Sequence, residues 1–317
     1  MQIYPKTDRE GNILSYASYE MCDKLIEEKI RCGIARERIK LLCYLELPGY
    51  GMAGNRLRFN SPEWKKAFKS WILHFTEHMK TKHGIPRDRI IFWTMDEPDG
   101  DINDKSSKMY KAYLSGKIIK EIDPGFRTMV DPSPFYQRGK DLSAYKKLAE
   151  VHDIVKFYRP EMKERHIEVA KSLNREIWTY GIYVKTTPPE IYRKEYWQSL
   201  RDGFTSMVNY WHLESHAGGD GFNSDDGAKN RADYGSMFMD MDMDTVLSSR
   251  REEAHLLGRE DFKLAEFCRR LLKKKPDPVL QKELDRIIIE GASADMSGME
   301  KCRLKMLDLA ERLQNRK

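Results

Sequence analysis

Asp96 and Glu97 stand side by side where the apolar run Ile90-Ile91-Phe92-Trp93-Thr94-Met95 stops, and Pro98 comes directly after them. A run this rich in β-branched and aromatic residues reads as a strand covered on both faces. The carboxyl ends of such strands are where parallel α/β proteins place their chemistry. Two acids at that point suit proton transfer. Successive strand residues point to opposite faces, so only one of the pair can face a barrel axis unless the chain kinks between them. The competing reading is a solvated strand-to-helix turn, with Asp96 or Asp99 capping the next helix.

The other strand ends are equally polar. Glu46 and Tyr50 come after the first strand, Asp131 after the third, Tyr158 and Arg159 after the fourth, Tyr180 and Tyr183 after the fifth, and Trp211, His212 and Glu214 after the sixth. In a barrel these positions converge. Carboxylates ringed by Tyr and Trp suit a carbohydrate, since acids move protons while aromatic faces stack on the apolar face of a sugar ring. Tyr158, Tyr180 and Tyr210 read equally well as core aromatics with a hydroxyl at the rim. His212 and His216 straddle Glu214 but lack a third ligand at defined spacing, so no metal is assigned. The stretch from Met239 to Asp244 has neither the Gly nor the terminal Glu of a calcium loop, and no phosphate-binding Gly motif occurs. No cofactor is expected.

The elements that must hold these residues emerge from periodicity. From about residue 19, helical patterns alternate with short apolar runs at 41 to 45, 90 to 95, 127 to 131, 153 to 158, 176 to 181 and 205 to 211, which argues for βα units and a parallel sheet. Ser61 and Pro62 open a helix whose Trp64, Phe68, Trp71, Phe75 and Met79 recur on one face as core anchors. Further helices are expected near 19 to 33, 106 to 122, 161 to 173 and 190 to 202. The Gly- and Asp-rich segment from Trp211 to about 245 reads as a long loop of the kind that often carries function. From Ser248, taken as a cap, the chain reads as helical.

The fold class is therefore α/β, of the (β/α)8 TIM-barrel type with a carboxy-terminal helical extension. Residues 1–247 form the barrel portion and 248–317 a helical segment packed on it. Six strands are two short of eight, and residues 1 to 18 read as a connecting loop with turn chemistry at 8 to 12.

Composition excludes other classes. No apolar stretch approaches the ~20 residues of a membrane span. The net charge of +6 is spread over 56 basic and 50 acidic residues of 317. The basic runs at Arg269-Arg270 and Lys273 to Lys275 lack interleaved aromatics, which argues for a solvated helix face and against nucleic-acid binding. The five cysteines are odd in number, scattered and without a Cys-x-x-Cys pair, so buried thiols are expected. The first residues lack the pattern of a signal peptide, and localisation is left open.

Trp93-Thr94-Met95-Asp96-Glu97-Pro98, the strand ending Asn209-Tyr210-Trp211, the loop with Asp220-Gly221, and Ser248-Ser249-Arg250-Arg251-Glu252 leading to Gly258-Arg259-Glu260-Asp261-Phe262 together form a pattern. Over about residues 5 to 275 it resembles the catalytic domain of glycoside hydrolase family 123 and its relatives. Phe262 stands where Tyr is more usual. The resemblance implies a β-N-acetylgalactosaminidase-like enzyme that uses substrate assistance, the acetamido oxygen of the sugar attacking its own anomeric carbon.

Carried onto this chain, Glu97 is the general acid and base and Asp96 orients the acetamido group. One of Tyr158, Tyr180 and Tyr210 donates to the acetamido oxygen, and Trp178 and Trp211 form the stacking wall. Adjacent acids suit this scheme because it needs no enzymic nucleophile, whereas two-carboxylate mechanisms need the pair on either side of the bond. Glu97 needs a raised pKa, and an ionised Asp96 beside it pushes that way. The resemblance also implies that the first two βα units and a β-sandwich domain are missing from this chain. Two alternatives stay open: a conventional retaining glycosidase with Glu97 as acid and Glu214 as nucleophile, and a non-catalytic carbohydrate-binding protein.

Overall fold

The computed structural model describes residues 5–45, 57–132, 142–159, 162–181, 187–209, 213–214, 237–240 and 245–316, with backbone alone in the strands between 206 and 247. Among the described residues the expected alternation is present. A two-stranded antiparallel ribbon, β1 (Lys6–Thr7) and β2 (Ile13–Ser15), precedes α1 (Glu20–Arg31), so the opening segment is a hairpin and not the expected loop. Asp8 supplies its turn, its carboxylate accepting from the Asn12 backbone N–H at 2.7 Å.

The βα units then run β3 (Leu41–Tyr44), α2 (Pro62–His83), β4 (Ile90–Asp96), α3 (Lys108–Ile122), β5 (Arg127–Asp131), α4 (Ser143–Glu150), β6 (Ile154–Tyr158), α5 (Glu164–Ser172), β7 (Glu176–Gly181), α6 (Pro189–Asp202) and β8 (Ser206–Asn209). Strands β3 to β8 are ordered in the sheet as in the chain, and every pair with a described register is parallel. This is a parallel α/β sheet.

The chain divides into two compact units, residues 1–177 and 178–317. In the first, the anchors of α2 behave as their spacing predicts. Trp64, Phe68, Trp71, Phe75 and Met79 are all buried, packed with Ile26 of α1 and with Ile90 and Phe92 of β4. Ser61 caps α2, its hydroxyl accepting from the Trp64 N–H at 3.2 Å, and Gly84 ends it in the left-handed conformation, φ 65°.

The amino ends of the strands are tied by ion pairs: Lys120 with Asp153 at 2.7 Å, and Arg127 with Glu176. His152, fully buried, adds a cross-link. Its Nδ1–H donates to the Leu148 carbonyl at 2.7 Å, which leaves Nε2 to accept from the Thr94 hydroxyl at 2.9 Å. Gly116 leaves room for that ring, since a Cβ there would lie 2.8 Å from it.

In the second unit, the segment expected as a loop contains a small sheet in the order β11-β10-β9: β9 (Leu213–Glu214), β10 (Met237–Asp240) and β11 (Thr245–Leu247). Met239 and Asp240 belong to an antiparallel hairpin there, Asp240 pairing with Thr245. Short strands interrupted by turn residues carry too weak a period to be read from sequence. Helices α7 (Arg250–Lys274), α8 (Pro278–Ser293) and α9 (Met296–Gln314) complete the unit. The cap of α7 is Ser249, one residue after the expected Ser248; its hydroxyl accepts from the Arg251 and Glu252 N–H groups.

Asp261, inaccessible to solvent, organises this unit. It accepts from Arg193 Nε at 2.7 Å, Trp197 Nε1 at 2.8 Å and Arg303 at 2.9 Å, joining α6, α7 and α9. Gly258 and Gly291 let the helices close on the rings of Tyr196 and Trp197, where a side chain would collide. The run from Gly258 to Phe262 thus has a packing function.

Asp261→Ala leaves the buried Arg193 guanidinium with Glu300 as its remaining acidic partner and should cost about 3–5 kcal/mol in urea unfolding. A second expectation concerns pH. Burial pushes His152 down to about 4, against the help of its bond to Leu148. The folded state therefore binds fewer protons than the unfolded chain between roughly pH 6.5 and 4, and stability falls as pH falls through that window. The loss attributable to this ring is on the order of 3 kcal/mol by pH 4. Denaturation midpoints from pH 7 to 4, compared with those of His152→Asn, measure it.

Candidate active site

Asp96 is the last residue of β4, and the strand reaches it through an irregularity. Trp93 pairs with Met129, but Asp96 pairs with Asp131, so three steps on β4 match two on β5. One residue of β4 is extra, which is a β-bulge, a device that re-aims side chains at strand ends. Glu97 comes next with φ 42°, in the left-handed region that a residue with a Cβ rarely adopts. Such a conformation costs of order 1–3 kcal/mol and persists only where the surroundings hold it. The kink that adjacent acids would need is present, because bulge and turn together break the strict alternation of the strand. Both side chains are half-buried.

The helix-capping reading of this turn does not match the structure. The cap of α3 is Ser107, whose hydroxyl accepts from the Tyr110 N–H at 3.0 Å. Asp99 meets that helix only through its backbone carbonyl, which accepts from Met109 N–H at 2.9 Å. The capping residue is thus Ser107, and neither Asp96 nor Asp99 takes that place.

Beside the pair lies a buried polar cluster. Asp131 ends β5 and Lys156 sits in the middle of β6; each side chain is 1% exposed, and the ammonium is 3.0 Å from Asp131 Oδ2. The indole N–H of Trp93 donates to Asp131 Oδ1 and to the Met95 carbonyl. Lys156 lies 3.7 Å from the centroid of the Trp93 ring, a cation–π contact in a dry setting. Tyr44 of β3 packs against the same indole, with centroids 4.4 Å apart. Burial pushes the Asp131 carboxyl up to about 7 although Lys156 pulls the other way, and the charge of Asp96 adds to the rise.

The cluster can keep a carboxyl partly protonated near pH 7 beside Asp96, and it fixes the end of β4 against β5 and β6. Three strands contribute to it, so the backbone that carries Asp96 and Glu97 has little freedom. Asp131 stands out in the sequence as a strand end, whereas Lys156 and the role of Trp93 do not. A signal for Lys156 exists: it is a lone cation inside Ile154-Val155-Lys156-Phe157-Tyr158, and a charge in a doubly covered strand needs a partner.

The remaining expected residues are more scattered. Tyr158 ends β6 and is half-buried. In the second unit, Trp178 and Tyr180 share one face of β7, 8% and 2% exposed. Glu214 ends β9, where the backbone alone is described. Tyr210 and Trp211 lie outside the described residues, as do Glu46, Tyr50, Tyr183, His212 and His216. A cavity of about 650 Å³ opens between the amino ends of α2 and α3, lined by Arg58, Asn60, Ser61, Lys105, Tyr110 and Lys111 among others, without Asp96 or Glu97.

No family model matches the chain, and no curated protein matches it. Solved structures do. Three crystal structures of TsXylA, the intracellular xylanase of Thermoanaerobacterium saccharolyticum, align over 66% of this chain and 75% of theirs, with a TM-score of 0.43 and 13 to 14% identity. Two of them are mutants in complex with xylotriose and xylotetraose.

Removing Lys156 tests the cluster. In the wild type, the raised pKa of Asp131 means that its contribution is present below about pH 4 and is lost as pH rises toward 7. Lys156→Met removes the cation that limits the rise, so the loss extends to higher pH. The variant should be destabilised by about 3–5 kcal/mol at pH 8 and by clearly less at pH 5, where Asp131 is protonated. Urea unfolding at the two pH values gives both numbers.

Proposed function

We propose that the chain is a glycoside hydrolase acting on N-acetylhexosaminides of the N-acetylgalactosamine type. The observation that carries this reading is the bulge and left-handed turn at Asp96 and Glu97, which commits backbone strain to presenting two adjacent acids at a strand's carboxyl end. In this reading Glu97 protonates the leaving oxygen and then activates water, and Asp96 holds the acetamido N–H. The sugar's own acetamido oxygen attacks the anomeric carbon. An oxazolinium intermediate forms as the leaving group departs, and water opens it with retention. Neighbouring carboxylates on one turn fit this scheme better than a double displacement, whose acid and nucleophile stand about 5 Å apart across the bond.

Asp131, Lys156 and Trp93 act as positioning residues for Asp96. An incomplete barrel of the (β/α)8 type, lacking its first two βα units, and the sequence-based assignment of Tyr158, Trp178, Tyr180, Tyr210, Trp211 and Glu214 to sugar binding belong to the same proposal.

The test is turnover of a chromogenic N-acetylgalactosaminide. Glu97→Gln should lower kcat by about 10²- to 10⁴-fold with the fold kept, as judged by circular dichroism. The matching galactoside, which lacks the acetamido group, should not be turned over. Unchanged turnover in Glu97→Gln sinks the proposal. Equal turnover of both glycosides removes substrate assistance and leaves a conventional glycosidase.

A further inference from the structure

Helices α1 and α2 meet through a polar cluster that the chemistry above does not use. Asp23 of α1 is buried at 5% exposure and faces two histidines of α2. His78 Nε2 lies 2.9 Å and His83 Nε2 2.7 Å from the same oxygen, Asp23 Oδ1, while Lys82 donates to Oδ2 at 2.7 Å. The three ligand-type atoms lie within 4.8 Å of one another. His83 is 3% exposed and His78 27%.

We propose that Asp23, His78 and His83 form a binding site for a divalent transition metal of the zinc class, clamping α1 to α2. Two imidazole nitrogens and one carboxylate oxygen are a donor set that zinc takes readily, with a fourth position left for water. The two nitrogens already converge on a single point. Bonds of about 2.0–2.1 Å in tetrahedral geometry put ligand atoms about 3.3 Å apart, so each nitrogen retreats from Oδ1 by about half an ångström while the two nitrogens, within 4.8 Å of one another, settle at that same spacing.

The surroundings favour the same use. Lys82 occupies the second carboxylate oxygen, which orients the group and leaves Oδ1 as a single ligand atom. Both histidines are anchored by one helix, His83 being its last residue before the left-handed Gly84. The partly exposed His78 edge gives an ion a way in. On binding, each neutral ring carries its proton on Nδ1, freeing Nε2 for the metal.

The full chain, stripped with chelator, should bind one Zn²⁺ with this site as ligand set. Isothermal titration gives the stoichiometry, and Co²⁺ substitution should show the visible bands of a tetrahedral site. At 100-fold excess over Kd, the unfolding temperature should rise on the order of 5 °C. Asp23→Asn and His78→Gln should each weaken binding by at least about 100-fold. His78→Gln alters the most exposed ligand and keeps a donor for Asp23, so the helix pair stays assembled. A His212→Ala, His216→Ala double variant, which changes another closely spaced pair of histidines, should bind as the wild type does. Absence of Zn²⁺ binding, or binding that survives Asp23→Asn and His78→Gln, overturns the proposal and leaves a hydrogen-bonded bridge between helices.

Discussion

Lys156 and Asp131 face each other in a place where neither can reach water. Removing an ammonium and a carboxylate from solvent costs several kcal/mol each, and their attraction offsets that only when geometry and further polar contacts are good. Here Trp93 supplies both kinds of contact, its N–H serving the carboxylate and its ring the cation. Three adjacent strands, β4, β5 and β6, are thereby tied to one another close to the end that carries Asp96. The strained turn at Glu97 is sustainable because it is attached to that fixed end.

The helical unit uses the same device with different parts. Asp261 is a buried anion satisfied by two guanidinium groups and an indole, drawn from α6 and α9. In both places an acid, a tryptophan N–H and a cation close a polar circuit inside an apolar surround. The difference is location: the Asp131 circuit abuts a strand end bearing acids, while the Asp261 circuit lies among helices.

Much of this is legible in the amino-acid order, because large periodic signals survive tertiary context. The anchors of α2, the Ser61 cap and the strands at Leu41, Ile90, Arg127, Ile154 and Glu176 emerge from spacing and β-branched content alone. The hairpin at residues 6 to 15, helix α4 and the strands between 213 and 247 do not, since such short strands and an eight-residue helix leave almost no period. At the candidate site, the pair of acids is visible but the bulge is not. A one-residue register shift depends on what the neighbouring strand presents, and nothing in Trp93 to Asp96 marks it. Lys156 can be found by asking where its charge goes. The Asp23, His78 and His83 cluster cannot, because Asp23 is 55 and 60 residues from the two histidines and the facing of two helices is a tertiary property.

The extra residue in β4 also divides the strand into two zones of tolerance. Up to Trp93, each side chain is locked in register with the neighbouring strands, so a change there propagates into the sheet and its helices. Past the bulge, tolerance is confined to exposed positions such as Lys105, because Ile102 is buried against Met95 and Met109 and a Cβ at Gly100, φ 92°, would collide with Ser107. A fold arranged in this way can hold its acids steady while only the exposed tip of the turn beyond them varies, the sheet being left untouched.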